Sequence, residues 1–567
     1  MVDRQRQRPR VDLDFTLRRV FGKTSFRPLQ REVILAAIEG HDVFLQAATS
    51  FGKSLCFQLP AVVSHGVTIV VSPLLALMMD QVAALKANGI PVATINSTTP
   101  PSERQAILED LLSGHPKTRL LYVTPEFCET NFFRRHLLTI HAQGELNRIA
   151  IDEAHCISEW GHDFRPAYKE LSWFKKTLKS VKITALTATA TPRVRLDIIN
   201  LLGLDPKTLK TFNTPSARPN IHYEVKYLTD FACDPTVAAD FQIQDILSWL
   251  KSIQSRREAR LKNSGSDLSK LPPISGIIYV PLRSVAESVA RALSSSGNNI
   301  FAVAYHAGLS NSDRNRIQSM WTSKTPFPVG DNQVTPSFSI IVATSAFGMG
   351  IDNPHVRFVI HWTPPRSFEG FVQESGRAGR DGRAAVSVVY YNLQERDRVL
   401  ERVQRDDVPD NKSRRRAPQS PAAKERSKQA RLESFQKVIK YCETTTRCRH
   451  EIIKEFSGDL DLEMMGSTQE SLGDSKTGDS KTADDASSGF RSSPCDFACD
   501  FCKEGAEVLT KRKEEMIKAD ENTEKYAVYQ PMDPTMALLQ MMYRQGPYSR
   551  QGMRSAGPDP FPCEQCL

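Results

Sequence analysis

Ala47-Ala-Thr-Ser-Phe-Gly-Lys53-Ser54 follows the apolar run Val43-Phe-Leu-Gln46 and precedes the helix-like stretch LCFQLPAVV, residues 55–63. A strand, a loop and a helix entered through Gly-Lys-Ser bring free backbone N–H groups and the helix dipole to one point, which suits a triphosphate. Lys53 is placed to neutralise the β- and γ-phosphates, and the Ser54 hydroxyl to complete a Mg²⁺ shell. Ala47 and Ser50 stand where such loops often carry glycine, so the loop alone also reads as a charged helix start. Downstream, Asp152-Glu-Ala-His155 ends the apolar run Arg148-Ile-Ala-Ile151. In a doubly wound sheet this sets two carboxylates at the edge that carries the phosphate loop. Asp152 then suits Mg²⁺ held through water, and Glu153 suits polarisation of an attacking water. Two acids on a surface loop are commonly only solvated; two that end an apolar strand beside a phosphate loop are a chemical pair.

The surroundings repeat the strand-loop-helix rhythm. VTIVVSP (67–73), RLLYVTPE (119–126) and KITALTATAT (182–191) alternate with helix-like stretches up to about residue 212. After Arg218-Pro-Asn220 comes a second set: HYEVKY, SGIIYVP, FAVAYHAG, SIIVATS, VRFVIHW and AVSVVYY. Alternation of this kind predicts parallel strands joined by crossover helices, in two successive α/β units. Residues 229–273 and 324–338 read as polar surface loops, 404–430 as a basic linker, and 457–494 as a disordered Ser/Gly/Asp-rich insertion. Lys412, Arg414, Arg415 and Arg416 in the linker read as a solvated connector or as a nuclear-import signal.

The chain has 567 residues, 40% of them apolar and 25% charged, with a formal charge of +9. That composition describes a globular protein, and the balance permits a polyanionic partner without demanding one. The longest apolar stretch, Val67 to Met79, is interrupted at Ser72-Pro73 and is too short for a bilayer; the basic N-terminus lacks a signal-peptide core. Secretion and membrane spanning are not expected.

Two further stretches carry chemistry. Gln373-Glu-Ser-Gly-Arg377-Ala-Gly-Arg380 in the second unit offers two arginines, flanked by glycines, that suit a fork on γ-phosphate oxygens when the units close. Trp160, His162, Phe164 and Arg165 crowd the segment after the Asp-Glu pair; they make poor core but a good stacking surface for unpaired bases.

In this order, the phosphate loop, the Asp152–His155 box, Thr187-Ala-Thr-Ala-Thr191 and Gln373–Arg380 resemble superfamily 2 helicases, and finer features resemble the RecQ family. Phe21-Gly-Lys-Thr-Ser-Phe26-Arg27-Pro-Leu-Gln30 is similar to that family's adenine-reading motif, with Gln30 on the adenine edge and Arg27 stacked on the base. Val71–Gln81 resembles its next motif, with Ala76 where serine is usual. Cys156–Pro166 resembles its aromatic-rich loop, and Tyr305–Leu309 and Ala343–Asp352 match motifs of the second unit. Val280-Pro-Leu departs from the usual Cys-x-Ser.

The resemblance implies two tandem RecA-like parallel-sheet α/β domains, residues 21–214 and 215–403, after a basic arm (1–20). A small helical zinc-binding module (431–510) follows, then a charged helix and tail (511–567). It implies nucleotide contacts from Phe26, Arg27, Gln30, Thr49, Ser50, Gly52, Lys53, Ser54, Asp152, Gly350 and Asp352. Catalytic roles fall to Lys53, Asp152, Glu153, Gln373, Arg377 and Arg380. Ser54 and Asp152 hold Mg²⁺, and Trp160, His162, Phe164, Arg165 and Thr344 contact DNA.

Seven of the eleven cysteines crowd the last quarter of the chain. Four thiolates suffice for a closed tetrahedral Zn²⁺ site. The family uses one helix cysteine and three later ones, which here are Cys448, Cys495, Cys499 and Cys502. Cys442 competes with Cys448 on what reads as one helix, about 600° away and hence on another face; Cys448 precedes an arginine, as in the family, and is preferred. Cys563 and Cys566 have no second pair. The expected activity is an ATP-dependent, Mg²⁺-requiring 3′→5′ DNA helicase or translocase in the nucleus, acting as a monomer on single-stranded and partly duplex DNA. No winged-helix strand pattern follows Cys502, so ATP hydrolysis and translocation are better supported than efficient unwinding, and the chain reads as a short member or a piece of a longer one. The rival readings are an RNA-directed DEAH-box ATPase and a non-catalytic nucleic-acid-binding homologue.

Overall fold

Runs of β-branched and aliphatic residues four to seven long, each followed by a crossover, build two all-parallel sheets. The computed structural model describes residues 12–48, 51–158, 165–214, 216–229, 235–264, 272–322, 336–347, 353–405, 421–459 and 499–529. The first sheet holds β1 (Val43–Gln46), β2 (Val67–Val71), β3 (Val92–Ile95), β4 (Leu120–Val123), β5 (Leu146–Ile151), β6 (Lys182–Thr187) and β7 (Lys210–Asn213) in the order β3-β4-β2-β5-β6-β1-β7. The second holds β8 (Ile221–Tyr227), β9 (Ile274–Tyr279), β10 (Ile300–Tyr305), β11 (Phe338–Ala343), β12 (Val356–His361) and β13 (Ala385–Tyr391) in the order β10-β11-β9-β12-β13-β8. These are two tandem RecA-like α/β units. Among the described residues no helix is long and apolar enough to cross a membrane.

Both faces of each sheet are covered, which is why the central strands are buried along their whole length, while the edge strands β7, β8 and β10 are only partly so. In β1, Phe44 joins one core with Ile69, Ile149 and Ile183, while Val43 and Leu45 join the other with Val70, Ala150 and Leu186. Each such side chain contributes about 1.5–3 kcal/mol of burial. In the second sheet, Ile277 and Ile341 face one core and Ile278, Ile340 and Val342 the other.

The stretch 229–273, read from sequence as a polar loop, contains the helix Pro235–Ser264. Its Ile243, Ile246, Leu247 and Leu250 repeat at helical spacing and pack on β9, β11 and β12 through Ile278, Ile340 and Phe358. Cys442 and Cys448 do not share a helix. Cys442 lies near the end of Pro421–Glu443, and Cys448 caps the next helix, Arg449–Ser457.

The helices after the second sheet share its core: Phe435, Val438, Tyr441, Ile453 and Met516 pack with Tyr223, Phe371 and Tyr391. Arg449, fully buried, pairs with Asp500 at 2.8 Å and lies over the Tyr441 ring. Asp500 also accepts the Val225 N–H at 3.0 Å, so this module satisfies a donor of β8, the edge strand.

Ser457, Gly458 and Asp459, read from sequence as the start of the insertion, are packed against the first unit instead. The Ser457 carbonyl accepts from Gln46 and Arg195 at 3.4 and 3.3 Å, and the Asp459 carboxylate accepts the Ser216 N–H at 2.7 Å. Gly458 is left-handed (φ 63°), and a Cβ there would sit 2.6 Å from Pro192 Cγ. The module therefore touches both α/β units.

Candidate nucleotide and nucleic-acid site

Strands β5, β6 and β1 are neighbours, so the Asp152–His155 box, the Thr187–Thr191 turn and the phosphate loop leave the sheet side by side. That edge is where open parallel sheets bind ligands. The Ala47 carbonyl at the end of β1 accepts from Lys53 Nζ at 3.0 Å. Burial lowers the Lys53 ammonium, opposed by the nearby Glu153 and Asp152 carboxylates, while the Arg380 charge from the second unit lowers it further. Ser54 caps the helix Leu55–Val63. Gln30 follows Leu29, a non-glycine residue at φ 65°; its side chain donates to the Phe51 carbonyl at 2.7 Å and accepts the Arg27 N–H at 2.8 Å. Gln30 thus braces the loop next to Gly52. Arg27 is exposed and Phe26 half-buried.

Asp152 is buried, with its carbonyl pinned by the Tyr168 hydroxyl at 2.8 Å. Burial, then the neighbouring Glu153 charge, raises the Asp152 carboxyl to about 7, with Lys53 opposing. Glu153 adopts a left-handed backbone (φ 48°, ψ 48°), a conformation that strains any residue with a side chain and recurs at functional sites. Its Oε2 lies 3.3 Å from His155 Nδ1. That nitrogen is also 3.0 Å from Thr187 Oγ1, which donates to the Thr189 carbonyl at 3.0 Å. Thr189 Oγ1 in turn accepts from Gln373 Nε2 of the second unit at 3.2 Å. A buried polar line therefore runs from Glu153 of the first unit to Gln373 of the second.

Gln373 lies on the helix Phe368–Ser375, and Arg377 and Arg380 follow it. Arg377 is buried, and its Nε has no hydrogen-bond partner among the described residues. A buried guanidinium N–H held without an acceptor suits an anion. The loop is fixed from the turn that leads into β8: Arg218 and Asn220 donate to the Gly379 carbonyl at 2.7 and 2.9 Å. Gly379 is left-handed (φ 58°), and a Cβ there would meet Asn220 Nδ2 at 2.4 Å.

Just beyond the C-terminal ends of β9 and β11, Thr344, Ser345 and Ala346 line a cleft of about 580 Å³ with Pro281, Leu282, Arg283 and Ser284. Arg283 and Ser284 open the helix Arg283–Ser294, so the cleft combines a guanidinium, hydroxyls and a helix N-terminus, a set suited to backbone phosphate. Arg165 spans the aromatic-rich loop's exit: its Nη1 donates to the Pro73 carbonyl at 2.7 Å and its N–H to the Cys156 carbonyl. Ser158, at the loop's entry, donates to Asp197 at 2.6 Å. Thr49, Ser50, Trp160, His162, Phe164, Gly350, Asp352 and Cys495 lie outside the described residues.

Cys448, Cys499 and His450 are buried, with donor atoms within 4.8 Å of one another. The sulfurs are 3.8 Å apart, and Cys499 Sγ accepts the Arg449 N–H. Hydrogen bonding to Cys448, with burial, pushes the Cys499 thiol up to about 11. Cys502 is exposed, and Cys442 lies buried away from this trio. Sequence reasoning missed His450, whose Nε2 lies 3.2 Å from the Arg218 carbonyl, and also His155, Thr187, Thr189, Arg218 and Arg283. Most of these sit inside or beside motifs already singled out, and the signal was their proximity to them.

Residues 27–198 match the DEAD/DEAH box helicase family, and residues 267–382 match the helicase conserved C-terminal domain. Over 447 residues the chain is 38% identical to ATP-dependent DNA helicase Q5 of Rattus norvegicus, covering 78% of this chain and 42% of that protein. It is 36% identical over 455 residues to ATP-dependent helicase SGS1 of Saccharomyces cerevisiae, covering 79% of this chain and 27% of that one. The chain thus spans less than half the length of these curated relatives. In fold it resembles the DUF1998 helicase MrfA bound to DNA and AMPPNP, with a TM-score of 0.50 and 16% identity over 70% of this chain and 53% of that one. With two RecA-like units, a DEAH box beside a phosphate loop and relatives that include RecQ-like DNA helicase BLM of Xenopus laevis at 37% identity, the chain belongs to the RecQ family of DEAH-box helicases.

Proposed function

We propose that this chain is an ATP-driven, DNA-directed motor of the RecQ type that hydrolyses ATP between its two α/β units and moves 3′→5′ along a single strand. The observation that carries the reading is the polar line from Glu153 through His155, Thr187 and Thr189 to Gln373. It ties a candidate general base on one unit to the arginine-bearing segment on the other, as a motor driven by closure needs. Bound Mg²⁺–ATP supplies the anhydride to be cleaved and screens its charge. Lys53 exchanges the Ala47 carbonyl for phosphate oxygens, and Ser54 and Asp152 hold the cation. Glu153 takes the proton of an attacking water at its carboxylate, oriented by His155. Arg377 and Arg380 meet the charge that develops on the transferred group.

Thr344 with Arg283 and Ser284, and the aromatic-rich loop from Trp160 to Phe164, form the strand-contacting face in this reading. Cys448 and Cys499, with Cys495 and Cys502, hold a structural Zn²⁺, and His450 is a further donor beside it. The basic run Lys412–Arg416 supports action in the nucleus. The motor is expected to act as a monomer on single-stranded and partly duplex DNA, with binding that weakens as salt rises.

The test is steady-state ATP hydrolysis without nucleic acid, with single-stranded DNA and with single-stranded RNA. DNA-specific stimulation that is lost in Lys53→Ala supports the proposal. Equal stimulation by RNA favours an RNA-directed ATPase, and no hydrolysis under any condition favours a non-catalytic homologue.

A further inference from the structure

Tyr279 ends β9, between the last residues of its two neighbours: it stands opposite Ala343 of β11 and His361 of β12. Ala343 leads directly into the turn Thr344–Phe347, closed by the Phe347 N–H on the Thr344 carbonyl at 2.9 Å. The outer side of that turn, Thr344 to Ala346, lines the cleft, while Phe347 points back into the core. The Tyr279 hydroxyl donates to the Phe347 carbonyl at 2.8 Å. The Arg377 guanidinium approaches the same phenol and counters the rise that burial imposes on it. On the other side, His361 stacks on the Tyr279 ring (5.5 Å, 18°) and contacts Glu374 at 2.9 Å, one residue from Gln373.

From this arrangement we infer that Tyr279 is a positioning residue that passes strand contact at the Thr344–Phe347 turn to the arginine of the hydrolytic site. Its hydroxyl faces both ends of the path, with a carbonyl of the turn as acceptor and Arg377 beside its oxygen. Movement of the turn under a bound strand shifts the Phe347 carbonyl, and the phenol follows within the limits that His361 stacking allows. Arg377, whose Nε has no hydrogen-bond partner among the described residues, is thereby aimed or released. Tyr279 touches neither nucleotide nor strand in this scheme. The inference rests on the DNA-directed ATPase reading.

Tyr279→Phe keeps the ring and its stacking and removes only the hydroxyl. Hydrogen bonds that involve an ionised partner are the stronger kind, so the kcat reached with saturating single-stranded DNA should fall about tenfold. The KM for ATP and the Kd for the strand, read by fluorescence anisotropy, should stay within about twofold. The ratio of stimulated to unstimulated kcat should collapse. In an Arg377→Ala background, Tyr279→Phe should add nothing, because both changes cut one path. A preserved ratio in Tyr279→Phe, or effects that multiply in the double variant, overturns the inference and leaves the ATPase reading standing. A wild-type protein that single-stranded DNA does not stimulate overturns both.

Discussion

Replacing Arg449 by methionine tests how the cysteine-bearing module is fastened to the motor. The guanidinium is fully buried; it meets Asp500 at 2.8 Å through Nε and at 2.9 Å through Nη2, donates to the Tyr441 carbonyl and covers the Tyr441 ring. Methionine refills much of the volume but leaves the Asp500 carboxylate buried, its remaining donors among the described residues being the N–H groups of Val225 at 3.0 Å and Phe501 at 2.6 Å. It also strands the Tyr441 carbonyl. Removing one partner of a buried ion pair costs about 3–5 kcal/mol, far above the roughly 0–1 kcal/mol of a surface pair. Asp500→Asn should cost a similar amount, because it leaves a buried guanidinium without its counter-charge. The double variant should lose at least about 2 kcal/mol less than the sum of the singles, since no unpaired charge remains. Urea unfolding of all four proteins gives the cycle directly, with unchanged slopes as the check that the same unit unfolds. A cost below about 1 kcal/mol for Arg449→Met, or strict additivity, would refute the view that this pair pins the module to β8.

Asp152→Asn should stabilise the ligand-free protein at pH 8 while abolishing hydrolysis. Burial and the Glu153 charge raise this carboxyl to about 7, so the folded chain binds its proton more tightly than the unfolded one does. Stability then falls as pH rises from about 4 to about 7, and the amide removes about 1–3 kcal/mol of that loss above pH 7. Melting curves at pH 5 and pH 8 decide it, and an equal or lower melting temperature for the variant at pH 8 contradicts it. Gly458→Ala should loosen the contact between the module and the first unit, because the residue is left-handed and its Cβ would press on Pro192. About 1–2 kcal/mol is at stake. Hydrogen exchange should rise together in the helices Pro192–Leu201 and Arg449–Ser457; unchanged protection in both would count against a docked contact.

The two-unit parallel architecture was legible because most strands of the second sheet, such as SGIIYVP, SIIVATS and AVSVVYY, are short apolar runs bounded by turns or helix-like stretches, and the edge strand HYEVKY alternates at strand period. In the first sheet β3 and β7 escaped notice for opposite reasons. Val92–Ile95 is brief and sits behind Pro91, while Lys210–Asn213 is an edge strand whose first two residues are exposed, so no apolar pattern is required of it. The helix Pro235–Ser264 was hidden because four buried aliphatics are diluted in a long charged run. The candidate site was legible where chemistry is compressed into a motif, at Lys53, Asp152, Glu153, Gln373 and Arg377. It was not legible where partners come from remote segments. Nothing local to Arg218 announces that it holds the Gly379 carbonyl, and nothing local to Ser457 announces Gln46. His450 is one residue from a recognised arginine, yet only folding brings it to Cys448 and Cys499.

The left-handed backbone at Glu153 has a consequence for lineages rather than for single molecules. Glycine and asparagine adopt that conformation more readily, so either would relieve local strain and stabilise the fold by something on the order of 1 kcal/mol. In the proposed reading, selection for hydrolysis holds a poorly suited residue in place against that gradient. Descendants freed from the need to hydrolyse nucleotide should therefore drift at this position early, and toward glycine or asparagine rather than at random. A glutamate kept there across diverging sequences would mark working motors more sharply than the lysine of the phosphate loop, whose backbone is under no comparable tension.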